Sequence, residues 1–203
     1  TYTVGVCQLV QHEALDAATQ GFCDALTEAL GDAVTIDVQN ASGDSVNCGT
    51  IVNGFVSKNV DLIMANATPA LTAAASATAD IPILGTSITA YGVALDIEDF
   101  SGTVGGNISG TSDLADLAAQ AQMILEWFPE TQKVGLLFCS AEPNSRYQIE
   151  EVAKYLADKG VETEEFAFTD TNDVASVTQS AADYADVVYI PTDNTAAANT
   201  EAI

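Results

Sequence analysis

Hydrophobic and polar positions along the chain follow two alternating periods. Short β-branched runs, such as residues 34–38 and 60–65, are separated by segments whose apolar residues recur at helical spacing. In the first such segment one helical face collects Leu15, Ala18, Phe22, Ala25 and Ala29. Strands that alternate with amphipathic helices are typical of βαβ units, in which consecutive strands are parallel.

The pattern predicts two series of elements. In the first, strands lie over 3–10, 34–38, 60–65 and 81–84, and helices over 14–30, 45–56 and 68–77. In the second, strands lie over 134–138, 163–168 and 187–190, and helices include 113–127 and a segment with Ile149, Val152, Ala153 and Leu156 on one face. The Gly-rich passage SGTVGGNISG lies between the two series, and we interpret it as the connection between two lobes.

The second series repeats the first. VGVCQLVQHEALDA from Val4 parallels VGLLFCSAEPNSRYQ from Val134, and VDLIMANATPA from Val60 parallels ADVVYIPTDNTAA from Ala185. We therefore predict an α/β fold with two similar lobes, residues 1–110 and 111–203. Ligands of open parallel sheets bind beyond the carboxyl ends of the strands. Thr68 and Asp193 each follow the third strand of a lobe, so we expect both loops to line one interdomain cleft.

The chain ends at an unexpected point in this scheme. Residues 195–203 begin an alanine-rich helix and stop, which leaves the second lobe with three strands. We therefore expect a chain truncated at its C-terminus, with the remaining strands of that lobe absent.

Composition narrows the classes of function. The chain has 48% hydrophobic residues, and 29 Asp and Glu against 5 Lys and Arg give a net charge of −24. Such a field repels phosphate backbones and anionic lipid head groups, which argues against nucleic-acid binding. No apolar run reaches the length of about 20 residues that a membrane-spanning helix needs. The first ten residues lack the features of a signal peptide, so we expect that any targeting segment has been removed.

The four cysteines are Cys7, Cys23, Cys48 and Cys139. Cys7 falls in a strand, whereas Cys23 and Cys48 fall on successive helices that right-handed crossovers would place on opposite faces of a sheet. We expect four free thiols, most of them buried.

The segment ATPA, residues 67–70, has the composition of a helix N-terminus. Thr68 is suited to cap the helix and Pro69 to its first position, and the N–H groups of Ala70 and Leu71 together with the helix dipole would form an anion site. An ordinary capped helix is the alternative. The segment EPNS, residues 142–145, leaves the same two interpretations open in the second lobe.

Asp193 follows the last predicted strand and precedes a helix. It is either an N-cap or the partner of a ligand's ammonium group. A helix N-terminus for a carboxylate and an aspartate for an ammonium are what a free α-amino acid requires.

Other candidate chemistry is weak. His12 is the only histidine and has no neighbouring metal ligands at suitable spacing, so no metal site is predicted. Ser87 lacks the G-x-S-x-G context of a hydrolase, and GGNISG lacks the lysine of a P-loop. We expect no cofactor.

Several segments, in order along nearly the whole chain, resemble the ABC-transporter substrate-binding lipoproteins of the tryptophan/tyrosine type: QLVQHEALDAATQGF, DVQNASGD, VDLIMANATPA, GGNISGTSD, AEPNS and YIPTDNT. The resemblance implies two flavodoxin-like lobes with parallel sheets around an interdomain cleft, in a type-I periplasmic-binding-protein-like fold. It implies that the lobes close on an aromatic or branched amino acid without catalysis. It also implies delivery to a membrane permease, an extracytoplasmic location as a lipoprotein or periplasmic protein, and a monomer when full length.

By the same resemblance, the pocket would be formed by Gln8, His12, Thr68, Pro69, Ala70, Ser87, Ile88, Thr89, Asn144, Ser145, Asp193, Asn194 and Thr195. Tryptophan, tyrosine or phenylalanine is favoured over leucine or valine. The chain departs from the family where members usually read Thr-Asp-Pro, because Thr89, Ala90 and Tyr91 stand there.

Two alternatives belong to other classes. A cofactor-independent amino-acid racemase also has two similar lobes, each with one cleft cysteine, and Cys7 and Cys139 occupy matching first strands. A sugar- or nucleoside-binding relative is the other alternative.

Overall fold

The computed structural model describes all residues from Thr1 to Ile203. The chain folds into two compact units, Thr1–Asp113 (unit 1) and Leu114–Ile203 (unit 2). None of its helices is both long enough and apolar enough to cross a membrane.

Unit 1 is built on a five-stranded parallel sheet. Its strands are β1 (Tyr2–Gln8), β2 (Val34–Asn40), β3 (Leu62–Asn66), β4 (Ile83–Ile88) and β5 (Ile108–Ser112), and their spatial order is β2-β1-β3-β4-β5. Its helices are α1 (Glu13–Leu30), α2 (Ser45–Ser57), α3 (Thr68–Ala77) and the short α4 (Tyr91–Ala94), and a 3₁₀ turn covers Gly31–Ala33. This is the strand order of flavodoxin-like sheets, in which the direction of winding reverses beside β1.

Unit 2 has a smaller sheet of the same kind. Its strands β6 (Lys133–Cys139), β7 (Glu162–Phe168) and β8 (Val187–Tyr189) lie in the order β7-β6-β8, all parallel. Its helices are α5 (Leu117–Trp127), α6 (Pro143–Asp158), α7 (Val174–Tyr184) and α8 (Asn194–Ala198). The α/β fold with parallel sheets predicted from the alternating pattern is confirmed in both units.

Close packing between α2 and β1 explains one glycine of the first strand. A Cβ atom on Gly5 would lie 2.5 Å from the ring of Phe55 on α2, so only glycine lets that ring rest on the strand. Phe55 is fully buried and belongs to a core that also contains Leu15, Ile63 and Leu71. The helix therefore lies directly against β1 and its neighbours.

The interpretation of the Gly-rich passage as a connection between lobes is wrong for its second half. Ile108–Ser112 forms the edge strand β5, which pairs in parallel with β4 inside unit 1. A Cβ atom on Gly110 would collide with the carbonyl oxygen of Gly85 and the hydroxyl of Tyr91. The glycines thus allow close approach of two strands, which a local sequence pattern does not distinguish from flexibility.

Several element boundaries also differ from the sequence-based prediction; the strand predicted over 81–84, for example, is Ile83–Ile88. Strand β1 ends at Gln8 because Leu9 turns away, and its N–H bonds to the carbonyl of Asn66 at the end of β3 (3.2 Å). Helix α5 begins at Leu117 because Asp116 caps it, accepting a hydrogen bond from the N–H of Ala119 (2.9 Å).

Candidate functional site

The predicted site residues of unit 1 follow the carboxyl ends of three adjacent strands. Gln8 ends β1, Thr68 follows β3, and Ser87 lies at the end of β4. Because β1, β3 and β4 are parallel neighbours, their ends lie along one edge of the sheet. We call this the C-terminal edge of unit 1.

The turn between β3 and α3 has an unusual backbone. Ala67 adopts φ 86° and ψ 157°, a region that residues other than glycine rarely occupy. Its N–H donates to the carbonyl of Thr86 (3.0 Å), and its own carbonyl accepts from the N–H of Leu71 (3.1 Å). These two bonds hold the strained residue in place and set the direction in which α3 begins.

The prediction that Thr68 caps α3 is wrong. Helix α3 begins at Thr68 itself, and Ala67 stands at the N-cap position without a side-chain cap bond. The Thr68 hydroxyl is buried and has no hydrogen-bond partner. The N–H of Leu71 is not free either, since it bonds to Ala67. The donors left at this helix N-terminus are the Thr68 hydroxyl and the N–H groups of Thr68 and Ala70, while Pro69 has none.

Gln8 is occupied inside unit 1. Its side-chain amide donates to the carbonyl of Val10 (2.8 Å) and to Asp16 (2.6 Å), and its oxygen accepts from the hydroxyl of Thr19 (2.6 Å). These bonds join the end of β1 to the first turns of α1. The side chain of Gln8 therefore positions the chain segment that follows β1, and its polar atoms are already hydrogen-bonded within unit 1.

Asn66, which sequence reasoning did not single out, lies next to this network. Its side-chain amide donates to the carbonyl of Leu15 and the hydroxyl of Thr19, both at 2.9 Å, while its Oδ1 atom is buried without a partner. Its position before ATPA at the end of a buried strand was the available signal.

The predicted site residues at the end of β4 are partly buried in the core of unit 1. Ser87 has a positive φ of 56°, which turns the chain there. Ile88 is fully buried in the core of unit 1, and its carbonyl accepts from the N–H of Asp113 (3.1 Å). Thr89 is also buried, and its carbonyl accepts from the hydroxyl of Ser112 (3.0 Å).

Tyr91, where the chain departs from the family pattern, has a structural task. Its hydroxyl lies 3.1 Å from the carbonyl oxygens of Gly85 and Thr111 and so fastens β5 beside β4. Burial, with a smaller effect of Asp113, raises the pKa of Tyr91 to about 12.

His12 is half-buried at the N-cap position of α1, and its carbonyl accepts from the N–H of Asp16 (2.9 Å).

In unit 2 a buried carboxylate organises the predicted residues. Glu142 is only 2% exposed and stands before α6. Its Oε1 accepts from the N–H and the hydroxyl of Thr195, both at 2.8 Å. Its Oε2 accepts from the N–H (3.1 Å) and side chain (2.7 Å) of Asn194 and from the side chain of Asn144 (3.2 Å). Glu142 thus joins the first turns of α6 and α8.

Sequence reasoning placed Glu142 in a helix-start motif but did not select it as a site residue. Its partner Asn194 lies 52 residues away. A local sequence pattern does not predict a hydrogen bond between residues so far apart in the chain.

Asp193 is both an N-cap and a cross-link. Its Oδ1 accepts from the N–H of Ala196 (2.8 Å) at the start of α8, and its Oδ2 accepts from the N–H of Cys139 (2.7 Å) at the end of β6. The hydroxyl of Ser145 also donates to it. Burial, followed by the charge of Glu142, raises the pKa of Asp193 to about 6. The cap interpretation is confirmed, and the pairing with an ammonium group stays a prediction.

No basic side chain offsets these two carboxylates. The ion pairs of unit 2 join Arg146 to Glu165 and Lys154 to Glu151, on exposed side chains. The charge of Glu142 and Asp193 is therefore balanced by hydrogen bonds and by the helix N-termini at which they stand, and by no ion pair.

Asn144, in the first turn of α6, has a side-chain oxygen that accepts no hydrogen bond. Its side-chain amide donates to the carbonyl of Thr192 (3.2 Å) as well as to Glu142, while its Oδ1 is buried without a partner. Gln148, another residue that the sequence did not single out, holds Thr192 by accepting from its N–H (3.1 Å) and donating to its carbonyl (3.0 Å).

The two thiols that a racemase would use are buried. Cys139 is 1% exposed, and burial raises its pKa to about 11. Cys7 is fully buried against Cys48. Catalytic thiols are partly exposed and carry lowered pKa values, so the geometry favours structural roles for both cysteines.

Comparisons with known proteins agree with this picture. A family model described as ABC transporter substrate binding protein matches residues 3–203. A tyrosine-binding protein of Clostridioides difficile (strain R20291) is 35% identical over 197 residues, which cover 94% of this chain and 56% of that protein. The chain thus spans little more than half the length of this curated relative.

Two solved structures are similar over the whole chain. One is the ABC domain from Streptococcus pneumoniae in complex with L-Trp, at 34% identity and a TM-score of 0.91. The other is a conserved domain protein from Vibrio cholerae, at 32% identity and a TM-score of 0.92. This chain covers 69% of each. The chain belongs to the ABC transporter substrate-binding protein family.

Proposed function

We propose that this chain binds a free α-amino acid, with an aromatic side chain preferred, as the substrate-binding component of an ABC importer. The observation that carries the proposal is the first turn of α3, which contains a buried hydroxyl without a partner and two backbone N–H groups without a hydrogen bond. A helix N-terminus with unsatisfied donors attracts a carboxylate through both hydrogen bonds and the helix dipole.

The ligand's carboxylate would occupy this place on unit 1. Thr68 and Ala70 would donate their N–H groups, and the Thr68 hydroxyl would provide a third donor. A buried hydroxyl without a partner costs free energy in the unliganded protein. Binding that satisfies it recovers this cost, so the arrangement is suited to a ligand with acceptor oxygens.

Unit 2 carries groups suited to an ammonium. Asp193 and Glu142 are carboxylates without a basic partner, and the free Oδ1 of Asn144 offers a neutral acceptor. Ser145, Asn194 and Thr195 belong to the same network and fix its geometry. Each unit thus carries groups that complement one end of a free amino acid.

The preference for an aromatic side chain rests on relatives. The Clostridioides difficile relative is named for tyrosine, and the Streptococcus pneumoniae structure contains L-Trp. Both are more than 30% identical to this chain.

The proposal extends to location and partners. The protein would act outside the cytoplasm, as an anchored lipoprotein or a periplasmic protein, and deliver its ligand as a monomer to a membrane permease. The boundary predicted between the two lobes, 1–110 and 111–203, lies inside β5, whereas units 1 and 2 divide after Asp113. Neither a racemase nor a sugar-binding protein is favoured by any feature of the site.

A thermal-shift screen of the twenty amino acids tests the proposal. A ligand at about 100 times its dissociation constant should add roughly 2.7 kcal/mol of stability. We expect tryptophan, tyrosine or phenylalanine to raise the melting temperature most, and calorimetric titration to give the affinity. Absence of a response to every amino acid would refute the proposal.

A further inference from the structure

Two buried cysteines face each other across the core of unit 1. Cys7 lies on β1 and Cys48 on α2, and both are fully buried. The interaction between the two thiols is the largest influence on the pKa of each, raising that of Cys7 and lowering that of Cys48. Both side chains belong to the same core cluster. Neither Cys23, on the partly exposed face of α1, nor Cys139, in unit 2, has a thiol partner of this kind.

The backbone register brings the pair together. Gly5 and Cys7 are two residues apart on β1, so both point to the same face of the sheet. That face meets α2, because a Cβ atom on Gly5 would touch Phe55. Cys48 precedes Phe55 by two helical turns and therefore lies on the same side of α2. The meeting of the two thiols thus follows from the packing of α2 on β1.

We propose that Cys7 and Cys48 are a latent disulfide site, which a low-molecular-weight disulfide such as oxidised glutathione converts into a covalent link between β1 and α2. The Cys48 thiolate attacks one sulfur of glutathione disulfide, forming a mixed disulfide and releasing one glutathione thiolate. The Cys7 thiolate then attacks the Cys48 sulfur and releases the second. The protein loses two electrons and two protons, and the oxidant is reduced to two glutathione thiols.

The link would stabilise unit 1. A disulfide needs an S–S distance of about 2.0 Å, so the two sulfurs must approach each other before the bond can form. The closed loop of about 40 residues would restrict the unfolded chain substantially. Because both thiols are buried, the reaction would occur while the core is open, during folding or local unfolding. This inference does not depend on the proposed function.

The test starts from the 203-residue chain refolded from denaturant in mixed reduced and oxidised glutathione. Free thiols are then alkylated in denaturant, and the protein is cleaved at acidic residues. Cleavage after Glu13 and Asp44 separates the two cysteines, whereas trypsin would leave both on one peptide. We expect a linked Cys7–Cys48 peptide, an intact mass lower by about 2 Da before alkylation, and reversal by dithiothreitol. The melting temperature should rise by several degrees.

Matched variants identify the bond. In Cys48→Ala and in Cys7→Ala the linked peptide and the rise in melting temperature should both disappear. In Cys139→Ala, which removes a buried thiol from the other unit, both should persist. Alkylation of Cys7 and Cys48 as free thiols after refolding, or separate glutathione adducts on each, would overturn the inference. So would a linked protein that melts below its reduced form.

Discussion

The Oδ2 atom of Asp193 accepts a 2.7 Å hydrogen bond from the backbone N–H of Cys139, which lies 54 residues earlier in the chain. The bond holds the loop after β8 against the end of β6. Because Oδ1 of the same carboxylate caps α8, both oxygens are committed to buried donors. Asp193 is therefore more than an N-cap.

The first prediction concerns Asp193→Asn. An amide has a single acceptor oxygen, so the N–H of Cys139 or that of Ala196 would lose its partner. We expect the free energy of unfolding to fall by about 1–3 kcal/mol, the typical cost of leaving a buried donor unsatisfied. Urea unfolding at pH 7.5 measures it.

The control for this substitution is Asp44→Asn. Asp44 caps α2 from an exposed position and accepts only from the N–H of Val46 (2.7 Å). Asparagine caps about as well as aspartate, so little change is expected there. Equal, small effects of the two substitutions would show that the bond to Cys139 contributes nothing.

The second prediction concerns pH. Burial and Glu142 raise the pKa of Asp193 to about 6, above its value in the unfolded chain, so the folded protein holds the proton more tightly. Protonation of Asp193 therefore contributes stability that is fully present below about pH 4 and is lost as the pH rises through about 6. Other acidic groups titrate in the same range and act in both variants.

The measurement is the difference in unfolding free energy between the parent chain and Asp193→Asn at pH 4, 5, 6 and 7. The advantage of the parent chain should grow as the pH falls from 7 to 4. A difference that stays constant across this range would contradict the raised pKa. The same series with Asp44→Asn controls for general acid effects.

The third prediction compares two threonines on α3. The buried hydroxyl of Thr68 has no partner, whereas that of Thr72 donates to the carbonyl oxygens of Thr68 and Ala94, both at 3.1 Å. Thr68→Val should keep or raise stability, because it removes an unsatisfied buried group, and should weaken amino-acid binding. Thr72→Val should lower stability by about 1 kcal/mol and leave affinity nearly unchanged.

Calorimetric titration with L-tryptophan and L-tyrosine, together with thermal melts, separates the two effects. For Thr68→Val we expect a loss of roughly tenfold in affinity, the value of about one hydrogen bond to a charged group. Affinity that is unchanged in Thr68→Val would remove the hydroxyl from the proposed carboxylate site.

The fourth prediction concerns Glu142→Gln. The carboxylate accepts five hydrogen bonds from Thr195, Asn194 and Asn144, and the amide group of glutamine would face some of these donors with its own N–H. We expect a loss of about 3 kcal/mol or more, because several buried donors lose partners together.

Glu165→Gln is the matched control. Glu165 pairs with Arg146 on the surface (3.4 Å), and exposed pairs contribute about 0–1 kcal/mol. Chemical denaturation of both variants decides the matter. If Glu142→Gln is no more destabilising than Glu165→Gln, the network between α6 and α8 is not a source of stability.

The sequence alone determined the local elements and their repeated order. The helical period and the Pro69 signal predicted helix α3 over 68–77, which is where it lies. The succession of strands and helices predicted parallel sheets in both halves, and the ordered motifs predicted the family. These features depend on residues close together in the chain, because helix periods, caps and strand propensity are local properties.

The tertiary structure decided which groups are satisfied and which are left over. The sequence around Gly110 predicts a flexible connection, yet Gly110 lies in strand β5, where glycine permits the close approach of Gly85 on β4. Thr68 has the composition of a cap, yet the strained turn at Ala67 moves the helix start onto Thr68 itself and leaves its hydroxyl unpaired. The bonds of Glu142 to Asn194 and of Asp193 to Cys139 span more than 50 residues. Such contacts depend on how neighbouring strands align and how helices pack on them, and a one-dimensional pattern does not contain that alignment.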